Sequence, residues 1–368
     1  MRVLLQNRLD ALECPGGDTV LMLQLQKHLK DQGVQADLGL ELRPKLGDYD
    51  LVHLFNISRV HETFVQAKHA KSLGKRIVLS SIYHDCSELD RKGRTGFRRL
   101  ARFVASEDLC ERAKTFVRAI RDPRQSVAAL TQARMGFKNQ QVAVTSLADI
   151  VMVCSLEERE ALRKRIAFSA PCEVIPYGIS SHFAQARPDW FVQQYGIKDF
   201  VLCVARIEEV KNQAALLEAI QGTGLQLVLV GRPSANSKGY CRLVLKRVRQ
   251  QGVLHIQTLT DDEIASAYAA ARVHVLPSWI ESAGLVSFEA GLAGCRIVTT
   301  DRTFAREHLD GHVWYCSPDD IGSIRTAILA AYEAPDTSAF KDYILARLTW
   351  ERVTPQVMEV YRKACGRA

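Results

Sequence analysis

Short, mostly apolar runs recur along the chain, each separated from the next by a stretch whose apolar positions return every three or four residues. In the first half the runs are "VLL" (3–5), "ADLGL" (36–40), "LVHLF" (51–55), "RIVLS" (76–80), "IVMVC" (150–154) and "CEVI" (172–175). In the second half they are "FVLCVA" (200–205), "LQLVLV" (225–230), "VLHI" (253–256), "VHVLP" (273–277) and "RIVTT" (296–300). The helical pattern covers 18–32, 61–73, 156–166, 212–221, 238–251, 262–271, 285–293 and 319–332. Apolar strands alternating with amphipathic helices predict parallel sheets covered on both faces. Two successive sets predict an α/β chain of two Rossmann-like domains, 1–178 and 179–345, joined through the Pro-, Gly- and Ser-rich stretch 176–189. Residues 87–146 break the alternation. They read as helices with breaks near Gly93, Gly96, Pro123 and Gly136, inserted between the strands at 76–80 and 150–154. Such an insertion leaves the carboxyl end of a strand, where doubly wound folds bind ligands.

Composition changes this picture little. The chain has 368 residues, enough for two cores, with 47% hydrophobic and 24% charged residues, ordinary for a globular protein. The opening "MRVLLQNRLDALE" meets polar residues too early for an export leader, and no apolar run approaches the ~20 residues of a membrane span. The ten cysteines show no C-x-x-C and no zinc spacing, and most sit in apolar runs, as reduced cytoplasmic thiols do. Charge is more informative. The net charge is +8, and residues 87–140 hold 13 Lys+Arg against 6 Asp+Glu. Within that segment "FRRLARFV" (97–104) mixes apolar residues with three arginines, as interfacial helices do. The segment is expected to meet an anionic acceptor or an anionic membrane surface. Nucleic acid is disfavoured, because no aromatic-interleaved basic surface or known module is present.

Four stretches carry candidate chemistry. "WIESAGLVSFEAGLAG" (279–294) holds Glu281 and Glu289 among small and apolar residues, where carboxylates need a partner. Eight residues of helix rise about 12 Å, too far for two carboxylates to act on one atom. Gly284 points to a helix start, with Glu281 in the loop before it and Ser282 as N-cap. The free N–H groups of the first turn then favour an anion between two acceptors. "VARIEEVKNQ" (204–213) leaves a strand's carboxyl end with Arg206 and Lys211, a fork and a point charge suited to phosphate oxygens. "CPGGDTV" (14–20) places Gly16 and Gly17 in the first strand-to-helix turn, where glycine allows a tight turn and close ligand approach. In "RIVLSSIYHD" (76–85) His84 follows a buried strand at its carboxyl end. The D-x-D of "DYD" (48–50) lies at the amino end of a strand, the wrong end for a metal site, and no metal ligands are read elsewhere.

Together these motifs resemble retaining glycosyltransferase family 4, among the glycosyl transferases group 1, with the GT-B fold and a donor cleft between its two domains. "ESAGLVSFEA" looks like that family's E-x7-E motif, and "ARIEEVKN" like its Arg…Lys diphosphate clamp. "VLVGR" (228–232), with Gly231, and "VIPYGIS" (174–180) resemble two further signatures. "WERVTPQVMEVYRKA" (350–364) resembles the final helix, which implies that 346–368 crosses back to the first domain. The resemblance implies that Glu289 binds ribose hydroxyls and that Glu281 lies by the donor sugar. It places Ser282, Ala283 and the N–H groups of Gly284, Leu285 and Val286 on sugar or phosphate. Arg206 and Lys211 would stabilise the diphosphate leaving group, His84 would contact the transferred sugar, and Gly16 and Gly17 would lie over the donor phosphates or near the acceptor. The chain departs from the pattern at Ala205, Tyr177, Ala283 and Arg296. It leaves 87–146 unmatched.

The resulting expectation is a retaining, metal-independent hexosyltransferase. It would use a UDP- or GDP-sugar as substrate, with no further cofactor. Its acceptor would be a glycan or lipid-linked acceptor of bacterial surface polysaccharide or lipopolysaccharide, met in the cytoplasm or at the inner face of the membrane. A nucleotide-sugar epimerase of the same architecture and a non-catalytic sugar- or nucleotide-binding protein are the rivals. An epimerase needs no acceptor, and a binding protein releases no nucleoside diphosphate.

Overall fold

The computed structural model describes residues 1–85, 87–93, 107–335 and 338–366. The chain forms two compact units. Among the described residues, the first comprises 1–84, 107–178 and 350–366, and the second 85, 87–93, 179–335 and 338–349.

The first unit is built on a six-stranded sheet of β1 (Arg2–Gln6), β2 (Gln35–Gly39), β3 (Leu51–Phe55), β4 (Arg76–Ser80), β5 (Ile150–Val153) and β6 (Cys172–Val174), in the order β2-β1-β3-β4-β5-β6. All its pairings are parallel. Strand β1 is followed on one side by β2 and on the other by β3, so the chain reverses direction across the sheet there. Doubly wound folds place ligands at such a reversal, at the carboxyl ends of the strands. One face of the sheet is covered by helices Gly17–Asp31 and Trp350–Ala364. Leu21, Met22, Leu25 and Leu29 of the first pack with Val353, Val357, Val360 and Tyr361 of the second in one core. Gly178 seats the last helix: a Cβ there would stand 2.2 Å from the Trp350 ring.

The second unit repeats the plan with β7 (Phe200–Val204), β8 (Leu227–Val230), β9 (Leu254–Ile256), β10 (Ala271–Leu276), β11 (Arg296–Thr300) and β12 (Val313–Cys316), in the order β12-β11-β10-β7-β8-β9. Here too all pairings are parallel, and the reversal lies between β7 and β10. Strand β12 and the helices Asp189–Tyr195, Arg306–Leu309 and Ala339–Arg347 have no counterpart in the sequence-based reading. The four residues of β12 form an edge strand, mostly half-buried. Residues 87–93, read as the start of an insertion in the first domain, belong to the second unit. Glu88 pairs with Arg302, Lys92 Nζ lies 2.5 Å from Asp319, and Gly93 rests against the Trp279 ring. The breaks at Pro123 and Gly136 separate the helices Glu107–Arg121, Ser126–Met135 and Phe137–Leu147. Gly96 and "FRRLARFV" lie outside the described residues. Asp48 and Asp50 both serve Arg2, at 3.5 Å and 2.7 Å. Among the described residues, no helix is long and apolar enough to cross a membrane.

Three histidines are buried in these cores: His53, His61 and His274. His53 spans the Tyr361 hydroxyl at 2.7 Å and the Ser80 hydroxyl at 2.9 Å. Burial pushes each of the three down to about 3. The unfolded chain therefore binds protons below its ordinary histidine pKa of 6.5 that the fold does not. The stability these neutral rings provide is complete above that pH and is lost as pH falls toward 3. Each histidine adds a slope of up to ~1.4 kcal/mol per pH unit. Urea melts between pH 7 and pH 5 should show a net loss, and His274→Leu should reduce its slope by one histidine's share, since neither ring nitrogen of His274 has a partner.

Candidate active site

In the second unit, the loops that follow the adjacent strands β7 and β10 are laced together. The Trp279 N–H donates to the Val210 carbonyl at 2.8 Å, and Asn212 Nδ2 donates to the Pro277 carbonyl at 3.2 Å. Asn212 also donates to the Pro318 carbonyl at 2.8 Å. It sits in the left-handed region at φ 58°, a conformation asparagine tolerates better than most residues. The lacing brings Lys211 onto Glu281, with Nζ 2.6 Å from Oε1. Two residues read separately from the sequence therefore form one ion pair. Glu281 is almost wholly buried, at 7% side-chain exposure, and Lys211 is at 22%. An ammonium has three N–H groups, so the bond to Glu281 orients Lys211 and leaves two donors for an anion. Arg206 is the more open cation. It is about half exposed and pairs with Glu208 at 3.2 Å.

Helix Leu285–Leu292 starts beside this pair. Its N-cap is Gly284, at φ 69° and ψ 51°, with no side-chain cap. This corrects the expectation that Ser282 is the cap. The turn into the helix needs a left-handed residue, which only glycine supplies without strain, so the boundary falls two residues later. Glu281 lies outside the helix, its N–H bonded to the Arg302 carbonyl at 3.1 Å and its carbonyl to the Phe304 N–H at 3.1 Å. Ser282 and Ala283 are buried in the same turn. The N–H groups of Leu285 and Val286 open the first turn, where no intrahelical carbonyl reaches them. Glu289 lies on the helix, and its carboxylate accepts from the Tyr268 hydroxyl at 3.2 Å. Burial pushes the Glu289 carboxyl up to about 7, and the Tyr268 hydrogen bond opposes this. Tyr268 comes from helix Asp261–Ala270, and no local signal in the sequence links it to Glu289.

Gly231, grouped with the donor-binding candidates by the resemblance, spends its backbone groups on neighbouring strands. Its N–H is spent on the Ile256 carbonyl at 2.9 Å, and its carbonyl bonds His255 at 2.9 Å. At φ 150° a Cβ would stand 2.0 Å from the Ala205 carbonyl. Glycine here lets the ends of β7 and β8 approach and so places Arg206. Its backbone N–H is not open to a ligand.

In the first unit Gly16 and Gly17 follow β1 at the strand reversal, and His84 follows β4, two strands along. Gly16 caps helix Gly17–Asp31 in an extended conformation, and neither Gly16 nor Gly17 has a positive φ. The tight-turn reason for the glycine pair therefore fails. At Gly16 a Cβ would stand 2.8 Å from Asp18 Oδ1, so the Asp18–Arg8 pair would have to shift, whereas the space above Gly17 is open. A charged network that sequence reasoning missed holds this loop. Arg8 donates to Asp18 at 3.0 Å, to Asp10 at 2.6 Å and to the Cys14 carbonyl at 2.7 Å. Arg59 donates to Asp10 at 2.6 Å and pairs with Glu62, whose other oxygen accepts the Leu9 N–H at 2.7 Å. These partners are dispersed over 55 residues of sequence, between Arg8 and Glu62. His84 follows β4, with Nδ1 3.1 Å from the Ile82 carbonyl. Ile82 itself stands at φ 43°, a strained conformation for a β-branched residue. Such strain concentrates at functional sites.

Residues 190–341 match the family model of glycosyl transferases group 1. The segment is similar to the group 1 glycosyltransferase domain. It contains Arg206, Lys211, Gly231, Glu281, Gly284 and Glu289, while His84, Gly16 and Gly17 lie outside it. Solved structures show the fold to be GT-B. Sucrose-phosphate synthase from Thermosynechococcus elongatus is similar at TM-score 0.73 and 17% identity, with 100% of both chains covered. HepE from Anabaena, solved in complex with UDP-glucose, is similar at TM-score 0.73 and 16% identity, over 99% of this chain and 100% of that one. Among curated proteins, the O-antigen chain mannosyltransferase B of Escherichia coli is 25% identical over 192 residues, 49% of this chain and 50% of its own. The D-inositol 3-phosphate glycosyltransferase of Rhodococcus erythropolis is 24% identical over 181 residues, 45% of this chain and 41% of its own. The chain thus spans half or less of the curated relatives it matches.

Proposed function

We propose that the protein transfers a hexose from a nucleotide diphosphate sugar to a glycan or lipid-linked acceptor, with retention of configuration. The observation that carries this reading is the laced pair of loops after β7 and β10. They gather Arg206, the Lys211–Glu281 pair and the Gly284 helix start at one strand reversal. Departure of a nucleoside diphosphate builds negative charge on phosphate oxygens. Fixed cations and helix N–H groups stabilise that charge without reorganising, which is the main source of rate in such sites. Glu281 acts as the positioning residue that aims Lys211, and Glu289 accepts from the ribose hydroxyls. His84 is assigned to the transferred sugar, and the open backbone at Gly17 to donor phosphates or acceptor. The stabilisation is assigned to these side chains and not to a metal. The group 1 match supports sugar transfer, and the UDP-glucose complex of HepE supports a nucleoside diphosphate donor. The E. coli relative's name supports an O-antigen-type acceptor and a mannosyl donor, to be tested beside UDP-glucose.

Arg206→Ala is the cleanest test, because the Arg206 side chain is half exposed and its partner Glu208 keeps some contact with solvent. Nucleoside diphosphate release with donor and an acceptor extract should fall about 10²- to 10³-fold in kcat, with an unchanged melting temperature. A folded variant turning over at the wild-type rate would overturn the assignment. Anomeric NMR of the product decides retention.

A further inference from the structure

Two helices of the first unit carry apolar side chains on their solvent faces. Helix Glu107–Arg121 packs on helix Ser126–Met135 through the Thr115 hydroxyl, which bonds Gln132, and through Arg112 Nη1, which donates to the Ala133 carbonyl at 2.9 Å. On the first helix Phe116 is 65% exposed and Ile120 67%, with Val117 exposed between them. On the second, Val127 and Leu130 are exposed at a spacing of three. Single exposed apolar residues need no explanation, but apolar residues sharing one helix face do.

The unmatched charges around these residues have one sign. Each carboxylate of the two helices and the turn between them is matched to a cation: Glu107 to Arg165, Asp108 to Arg112, Glu111 to Lys114 and Asp122 to Arg124. Arg121, Arg134 and Lys138 are exposed and have no carboxylate partner among the described residues. Arg121 follows Val117 by four residues and Arg134 follows Leu130 by four, so each shares the apolar face of its helix.

We propose that this surface, Phe116, Val117, Ile120, Val127 and Leu130 with Arg121 and Arg134, docks on an anionic lipid bilayer. The apolar side chains enter the headgroup boundary and the guanidinium groups meet lipid phosphates, as in helices that lie in the interface plane. The unmatched positive charge selects a bilayer over a second copy of this chain, whose own cations would face these across a two-fold contact. The docking partner is independent of the donor reading above and uses none of its residues.

Sedimentation with phosphatidylcholine vesicles, with and without phosphatidylglycerol, tests the proposal. The full chain should co-sediment with the anionic vesicles and be released by salt. Arg121→Ala/Arg134→Ala should weaken binding about thirtyfold, and Phe116→Glu/Ile120→Glu should abolish it. Both variants replace exposed side chains, so melting temperature and donor affinity should stay at wild-type values. Absence of anionic-vesicle binding, or equal binding to pure phosphatidylcholine, overturns the proposal. So does a dimer in sedimentation equilibrium that Phe116→Glu/Ile120→Glu dissociates while vesicle binding persists.

Discussion

Lys211→Ala should lower the unfolding free energy by about 3 kcal/mol as well as removing turnover, because it leaves the Glu281 carboxylate buried without its counter-charge. The two losses have different origins. Catalysis loses a cation at the leaving group, and stability loses the partner of a buried anion. A double-mutant cycle separates them. Lys211→Met/Glu281→Gln removes both charges together, so it should recover most of the stability and none of the activity. Urea denaturation of wild type, Lys211→Met, Glu281→Gln and the double variant gives the coupling energy. If Lys211→Ala unfolds like the wild type, the 2.6 Å pair carries no stability and Glu281 is not positioning Lys211. Arg206→Ala serves as the contrast, since Arg206 is half exposed and its loss should cost activity alone.

Glu289→Gln should do the opposite, raising stability at neutral pH while weakening donor binding. Burial raises this carboxyl from 4.5 to about 7, so the folded state holds its proton where the unfolded state has released it. The sign follows directly. Stability contributed by the protonated carboxyl is full below pH 4.5 and is lost as pH rises through 7. Above that range the fold carries a cost of about 3 kcal/mol, which glutamine removes. Melts at pH 5 and pH 8 should show wild type and variant converging at the acid end. Donor binding requires the ionised carboxylate in this reading, so wild-type affinity should weaken below pH 7 and complex formation should release a proton. Calorimetry in buffers of different ionisation heat measures that release. A pH-independent donor affinity, or a Gln variant that binds like wild type, would remove Glu289 from the ribose.

The histidine and Glu289 effects oppose each other between pH 5 and 7, so the wild-type profile alone does not resolve them. His274→Leu and Glu289→Gln each isolate one slope.

Much of the fold was legible in sequence because strands buried on both faces are apolar throughout and stand apart from the amphipathic helices between them. Eleven of the twelve strands were read as apolar runs, the half-buried three-residue edge strands β6 and β9 among them, and the edge strand β12 was missed. The charged candidates of the group 1 segment were also legible, since Arg206, Lys211, Glu281 and Glu289 stand out among small and apolar neighbours. Their relations were not. Lys211 and Glu281 are 70 residues apart, and only the adjacency of β7 and β10 makes them partners. Tyr268 reaches Glu289 because helix Asp261–Ala270 packs beside helix Leu285–Leu292. The true cap at Gly284 and the close approach that Gly231 permits depend on a dihedral angle and on a carbonyl from another strand. The sequence by itself thus determined the α/β architecture and which residue types carry the chemistry, since periodicity and composition are local properties. Tertiary structure decided which charges neutralise each other, which glycines serve a turn or a neighbour, and which apolar side chains remain in water. Those outcomes depend on contacts between residues distant in the chain, whose energies no local pattern encodes.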